Sequence, residues 1–334
     1  MVQQFLIIQT AFIGDVVLAT GIIEKLYQHY PGAKIDFMLR KGNEGLLINH
    51  PHLRRLIIWD KKKNKLLNLF RILQQVRKTR YDKVINVQRF AATGMLTAFS
   101  GAKETIGFDK NPFAFVFTKK VRHIVGDQGK VRHEIERNND LVAEFTDQLP
   151  QRPKLYPPDT DFNLVKEFKT GPYITISPAS VWFTKQYPKE KWVSLINKMP
   201  AQYSIYLLGG PGDHLLAEDI KKSTERSPLV NLCGKLNFLQ SAALMKDAVM
   251  NYVNDSAPMH FASAMNAPVT AIYCSTLPLF GFGPLSDKSY VVEIAEPLYC
   301  RPCGLHGRAA CPESHFFCAY KIKDEQLLET IQGS

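Results

Sequence analysis

The segment Asn254-Asp-Ser-Ala-Pro-Met-His260 sets a carboxylate, a hydroxyl and an imidazole where an apolar strand ends and a helix begins. The free N–H groups of a helix start attract anions. Ser256 and Ala257 open that helix, so they are candidates to meet phosphate oxygens. Asp255 would position the loop or a ligand's hydroxyls. His260, one turn inside, reads either as a ligand contact or as a packed core residue. A second carboxylate stands in the first strand-to-helix turn, Gln9-Thr-Ala-Phe-Ile-Gly14-Asp15-Val-Val. A dinucleotide-binding turn would need G-x-G-x-x-G there, and its single glycine disfavours nicotinamide or flavin chemistry. Asp15 suits a helix cap. It also suits a general base, because a carboxylate held by helix N–H groups stays ionised.

Ser177-Pro-Ala-Ser180, followed by Lys185, forms a loop that leaves another strand. Small hydroxyls, exposed N–H groups and a point cation suit phosphate there, against the alternative of a surface loop. Leu207-Leu-Gly-Gly-Pro-Gly-Asp213 is a tight turn with Asp213 as a cap. Arg40, Lys41 and Arg89 follow strands and are candidates to meet an anionic substrate, or are surface residues. Asp159-Thr-Asp161 has the form of a metal-binding DxD triplet, but it follows a proline-rich run and reads as a solvated turn. Cys300, Cys303, Cys311 and Cys318 could hold a structural zinc. The six residues between the second pair weaken that match, and reduced thiols are the favoured reading.

These residues need strands and helices in alternation to position them. Apolar runs and helical periodicity predict strands at 5–10, 34–39, 55–60 and 83–88, with helices at 16–30, 65–78, 91–99 and a long one at 132–149. The second half predicts strands at 173–177, 204–208, 229–232, 249–254, 269–273 and 290–294, with helices between them and one at 324–331. Such alternation means parallel sheets covered by helices. The fold class is therefore α/β, two Rossmann-like domains facing across a cleft: 1–155, a linker at 156–171, 172–322, and a C-terminal segment 323–334 packing back on the first domain. Ligands of such folds bind beyond the carboxyl ends of the strands.

The 334 residues are 45% hydrophobic and 22% charged, which excludes a disordered chain. No apolar run is long enough to span a membrane and no secretory leader is evident, so a cytoplasmic protein is expected. A net charge of +11 calls for an acidic partner: nucleic acid, an anionic membrane or a phosphorylated substrate. One local cluster, Lys61, Lys62, Lys63 and Lys65, is either a solvated helix start or a binding surface.

Thr10-Ala-Phe-Ile-Gly-Asp-Val-Val-Leu-Ala-Thr-Gly and Tyr30-Pro-Gly-Ala-Lys-Ile-Asp resemble the opening of the family 9 glycosyltransferases, the heptosyltransferases. The resemblance continues at His133-Glu-Ile-Glu-Arg-Asn-Asn-Asp-Leu and through the second half. It implies the two-domain GT-B type of fold, with Asp15 as catalytic base, Lys185 on the donor diphosphate and Asp213 on the nucleoside ribose. The segment that begins at Asn254 resembles the family pattern N-D-[ST]-G-x-x-H-x-A-A, with Ala257 in place of its Gly. The implied reaction is inverting transfer of a heptose or similar sugar from an ADP-sugar to the anionic lipopolysaccharide inner core. That acceptor lies at the inner face of the cytoplasmic membrane, and peripheral association there is expected. No cofactor is required and no nucleic acid partner is expected. The alternatives are a basic, non-catalytic protein binding nucleic acid or anionic glycolipid, and a two-domain sugar-nucleotide epimerase.

Overall fold

The computed structural model describes residues 2–126 and 131–332. Gly333 and Ser334, at the end of the expected C-terminal segment, lie outside the described residues. The chain divides into two units, Met1–Tyr156 and Pro157–Ser334.

The first unit runs β1 (Gln4–Ile8), α1 (Ile13–His29), β2 (Lys34–Arg40), β3 (Leu53–Trp59), α2 (Lys65–Thr79), β4 (Lys83–Asn86), α3 (Ala91–Ala98), β5 (Glu104–Phe108), β6 (Lys119–Val121) and α4 (Glu134–Asp140). Its six strands are parallel in the order β3-β2-β1-β4-β5-β6. Phe5, Leu6, Ile7 and Ile8 are all fully buried, as a central strand covered on both faces requires. Strand order reverses between β1 and β4, and folds of this kind bind ligands beyond the strand ends at such a switch point. Asp36 on β2 is also fully buried. Arg54 grips it with two bonds (2.8 and 2.6 Å), and Arg55 and Tyr81 complete its partners.

The helix expected over 132–149 is only α4, followed by one 3-10 turn at Ala143–Phe145. Asn138 and Asn139 are poor helix formers. The chain's hydrogen bonds also go elsewhere: Tyr30 Oη donates to the Phe145 carbonyl (2.6 Å) and Asn139 Nδ2 to that of Asp147 (3.2 Å). β5 and β6 add to the expected strands. The three-residue edge strand β6, Lys-Lys-Val, offers no apolar run to read.

The second unit runs α5 (Asp159–Leu164), β7 (Tyr173–Ser177), α6 (Lys189–Lys198), β8 (Ser204–Leu207), α7 (His214–Ser223), β9 (Leu229–Asn231), α8 (Phe238–Lys246), β10 (Met250–Asn254), α9 (Ala257–Met265), β11 (Val269–Tyr273), β12 (Ser289–Glu293), α10 (Phe317–Tyr320) and α11 (Asp324–Gln332). Its strands are parallel in the order β12-β11-β10-β7-β8-β9. As in the first unit, the order reverses beside the unit's own first strand, here between β10 and β7.

Two expectations change here. The supposed linker 156–171 is folded: α5 begins directly after Pro158, and Asp161 is buried, accepting a bond from Gln240 Nε2 (3.2 Å). The Asp159-Thr-Asp161 triplet is thus a helix first turn, where acidic residues favour the dipole. The final helix packs into the core of the second unit. Leu327 and Ile331 enter its core, Tyr252 Oη donates to the Leu327 carbonyl (2.8 Å), and buried Asp324 accepts from Ser194 Oγ (2.6 Å) and pairs with Lys198 (2.8 Å). Among the described residues no helix is long and apolar enough to cross a membrane.

Candidate active site

In the first unit Asp15 stands in the helix that follows β1, Arg40 ends β2 with Lys41 directly after it, and Arg89 lies in the loop that follows β4. Asp15 sits in the first turn of α1, where its Oδ2 accepts from the Phe12 N–H (3.1 Å). Burial pushes its carboxyl above the ordinary range, while N–H groups and the charges of Arg40 and Arg89 pull the other way without cancelling that push. A carboxylate so placed is a better proton acceptor than a solvated one. The Arg40 guanidinium lies over the Phe12 ring, 4.8 Å from its centroid. Arg89 is exposed. The Lys41 ammonium, next along the chain from Arg40, pairs with Asp60 (3.0 Å).

Sequence reasoning missed a second carboxylate here. Glu134, at the start of α4, is buried and paired with Arg137 (2.6 Å). Burial raises its pKa, and the negative charge of Asp15 adds to the rise. The ring of His123, between burial and the charges of Arg89 and Arg137, is held down at about 4, hence neutral. The only sequence signal was the His133-Glu-Ile-Glu-Arg segment, which gave a helix but no partner for its acids.

In the second unit the loops after β7, β8 and β10 lie side by side, because those strands are neighbours in the sheet. Lys185 and Asp255, named separately from the sequence, are brought together as an ion pair (2.6 Å) with both side chains largely buried. Thr276 Oγ1 donates to the same Asp255 oxygen (2.6 Å). The Asn254 side chain ties the two loops: its Oδ1 accepts from the Tyr187 N–H (2.9 Å) and its Nδ2 donates to the Pro178 carbonyl (2.8 Å). Ser180 is partly buried and its carbonyl accepts from Gln186 Nε2 (2.6 Å). Asp213 closes the turn after β8, accepting from the Gly210 N–H (2.8 Å).

Ser256 is the extended residue before α9, and Ala257 and Pro258 begin the helix. Ala257 has no positive φ, so the backbone here makes no demand for glycine. His260 is buried on α9. What this edge can do chemically follows from its parts: a cation, hydroxyls and N–H groups converge where an anion would be held.

The sequence profile of glycosyltransferase family 9 (heptosyltransferase) matches residues 69–307. The chain belongs to glycosyltransferase family 9. Lipopolysaccharide heptosyltransferase 3 of Escherichia coli is 27% identical over 283 residues, covering 80% of this chain and 83% of that one. Among solved structures, a family 9 glycosyltransferase from Veillonella parvula superposes with a TM-score of 0.83 at 21% identity, covering 99% and 98% of the two chains. The E. coli ADP-heptose lipopolysaccharide heptosyltransferase II gives 0.79 at 21% identity, with the same coverage. Two Rossmann-like units are thus those of a GT-B glycosyltransferase, and the match favours transfer over the binding-protein and epimerase readings.

In this family 9 glycosyltransferase a cysteine-rich segment lies beside the Lys185 loop. Cys300, Cys303, Cys311 and Cys318 line one cavity of about 250 Å³, together with Thr184 and Arg308. Burial pushes the Cys318 thiol up to about 12, and the neighbouring thiols add to it. Among the described residues no three His, Cys, Asp or Glu side chains converge as a metal-ligand set. Thr184 joins the two loops. Its N–H donates to the Arg308 carbonyl (3.1 Å), and its Oγ1 accepts from the Arg308 N–H (2.8 Å) and Ser275 Oγ (2.9 Å). Gly307 has a φ of +78°, and a Cβ there would come within 2.9 Å of Lys185 Cγ.

Proposed function

We propose that this glycosyltransferase moves a heptose, with inversion, from ADP-heptose to the anionic inner core of lipopolysaccharide at the inner face of the cytoplasmic membrane. The observation that carries the reading is the placement of Asp15, a partly buried carboxylate with raised basicity at the switch point of the first unit. The acceptor hydroxyl gives its proton to Asp15 as its oxygen bonds to the anomeric carbon. The bond from that carbon to the diphosphate breaks on the opposite face, and ADP leaves with the electron pair. Lys185 and the N–H groups at the start of α9 stabilise the charge that grows on the leaving phosphate. Ser180 lines the phosphate loop, Asp213 holds the ribose and Asp255 orients Lys185. Arg40 and Arg89 attract the acceptor's anionic groups, and His260 braces α9. The ADP-heptose assignment draws on the E. coli heptosyltransferase II, whose donor its name states.

Incubation with ADP-heptose, with and without a deep-core lipopolysaccharide acceptor, tests this. ADP release that requires the acceptor is expected. Release of none, or conversion of the sugar nucleotide without acceptor, would overturn it.

With the leaving charge met by protein groups, no metal ion is required, and we propose that the four clustered cysteines are reduced thiols. Metal analysis of untagged protein should show well under one zinc per chain. Stoichiometric zinc that survives dialysis, with a fall in melting temperature on chelation, would recast the cysteines as a structural clip.

A further inference from the structure

The proposed reaction leaves unused a stretch of the first unit that joins exposed apolar bulk to unopposed positive charge. From Lys61 to Tyr81 the chain carries eight lysines and arginines and no acidic residue. Helix α2 buries Leu69, Ile72 and Val76. Its outer side presents Leu66 (76% exposed), Leu67 (56%) and Phe70 (57%), where a solvated helix would be polar. Exposed Lys62, Lys63 and Lys65 lead into this apolar trio, and exposed Arg71, Arg77 and Lys78 follow it. The carboxylate at the head of the loop, Asp60, is already engaged: it pairs with Lys41 (3.0 Å) and accepts from the N–H groups of Lys62 (2.9 Å) and Lys63 (3.1 Å). Lys65 does not serve the helix, since a cation in the first turn opposes the dipole, although Arg77 and Lys78 in the last turn favour it.

We propose that the loop 61–65 and the first two turns of α2 dock on an anionic phospholipid bilayer. Leu66, Leu67 and Phe70 enter the boundary between headgroups and acyl chains, while the flanking cations meet headgroup phosphates. A bilayer suits this face better than a protein partner. Protein interfaces are depleted in lysine, and here four of five consecutive residues are lysine. A diffuse field of one sign also matches a surface of uniform charge rather than a patterned one. With no helix able to cross a membrane among the described residues, the association is peripheral. The proposal deepens the membrane location given in the proposed function by assigning the surface that makes the contact, and because its readout needs no turnover the two can fail separately.

Co-sedimentation of the full chain with vesicles is the test, comparing phosphatidylcholine alone with mixtures containing phosphatidylglycerol. Binding is expected on the anionic vesicles only, weakening as salt shortens the screening length from about 8 Å at physiological strength to about 3 Å at 1 M. The pair Leu66→Ser and Phe70→Ser should lower partitioning by at least about tenfold, and Lys62→Glu with Lys63→Glu and Lys65→Glu should abolish it. All these side chains are exposed, so the variants should keep the parent's melting temperature. Equal binding to neutral vesicles, or binding that survives the serine pair, would overturn the proposal. So would self-association lost in the same serine variants, since a second copy would then cover the face.

Discussion

Replacing Asp15 with Asn should slow sugar transfer by about 10²–10⁴, the range a positioned general base contributes, and leave donor affinity and folding close to those of the parent. The amide keeps the shape and can still accept from the Phe12 N–H, so the helix cap survives while the proton acceptor is lost. The parent's pH profile carries a second signature. Because burial raises the Asp15 pKa, the carboxyl is protonated at a pH above the ordinary aspartate range. The base is present above that raised pKa, and kcat/KM should therefore fall as pH drops through it. The Asp15→Asn variant should lack this acidic limb. Turnover within tenfold of the parent, measured as acceptor-dependent ADP release, would remove Asp15 from the base role.

Lys185→Ala should weaken ADP binding and slow transfer together, by about 10²–10³ in rate if the ammonium meets the leaving phosphate. The ion pair complicates a simple reading. Losing the cation leaves Asp255 largely buried with Thr276 as its remaining partner, and breaking a buried pair costs about 3–5 kcal/mol. The pair keeps some solvent contact, so the lower part of that range applies. Combining Lys185→Ala with Asp255→Asn separates the two effects. The double variant should regain melting temperature but not ADP affinity. Calorimetry showing unchanged ADP affinity in Lys185→Ala would return Lys185 to a purely structural place.

Much of the scaffold was legible because buried parallel strands are near-continuous apolar runs, as at Phe5–Ile8 and in β10. The site loops were legible for the same reason, since they begin where those runs stop. The pairings were not. Lys185 and Asp255 are seventy residues apart, and only the adjacency of β7 and β10 joins them. Glu134 and Arg137 looked like the polar face of an ordinary helix, and their burial depends on what α4 packs against. The misread linker shows the limit from the other side. Its prolines do stop a helix, but Pro158 also starts one, and sequence alone does not say which. β6 went unseen because a three-residue edge strand needs hydrogen bonds, not hydrophobicity, to exist.

The staple at Thr184 has a consequence for how such a chain can change over time. Thr184 and Arg308 are 124 residues apart, yet they share bonds through main-chain and side-chain atoms. Gly307, pressed against Lys185, leaves no space for a side chain beside that bond. An insertion between Cys303 and Arg308 would carry the staple away from the loop that bears Lys185, whereas the stretch from Ala309 to Ser314 stands largely exposed and has room to lengthen. Length variation should therefore collect on one side of Arg308 and be purged from the other. Thr184, Gly307 and Arg308 would pass from ancestor to descendant as one inherited unit.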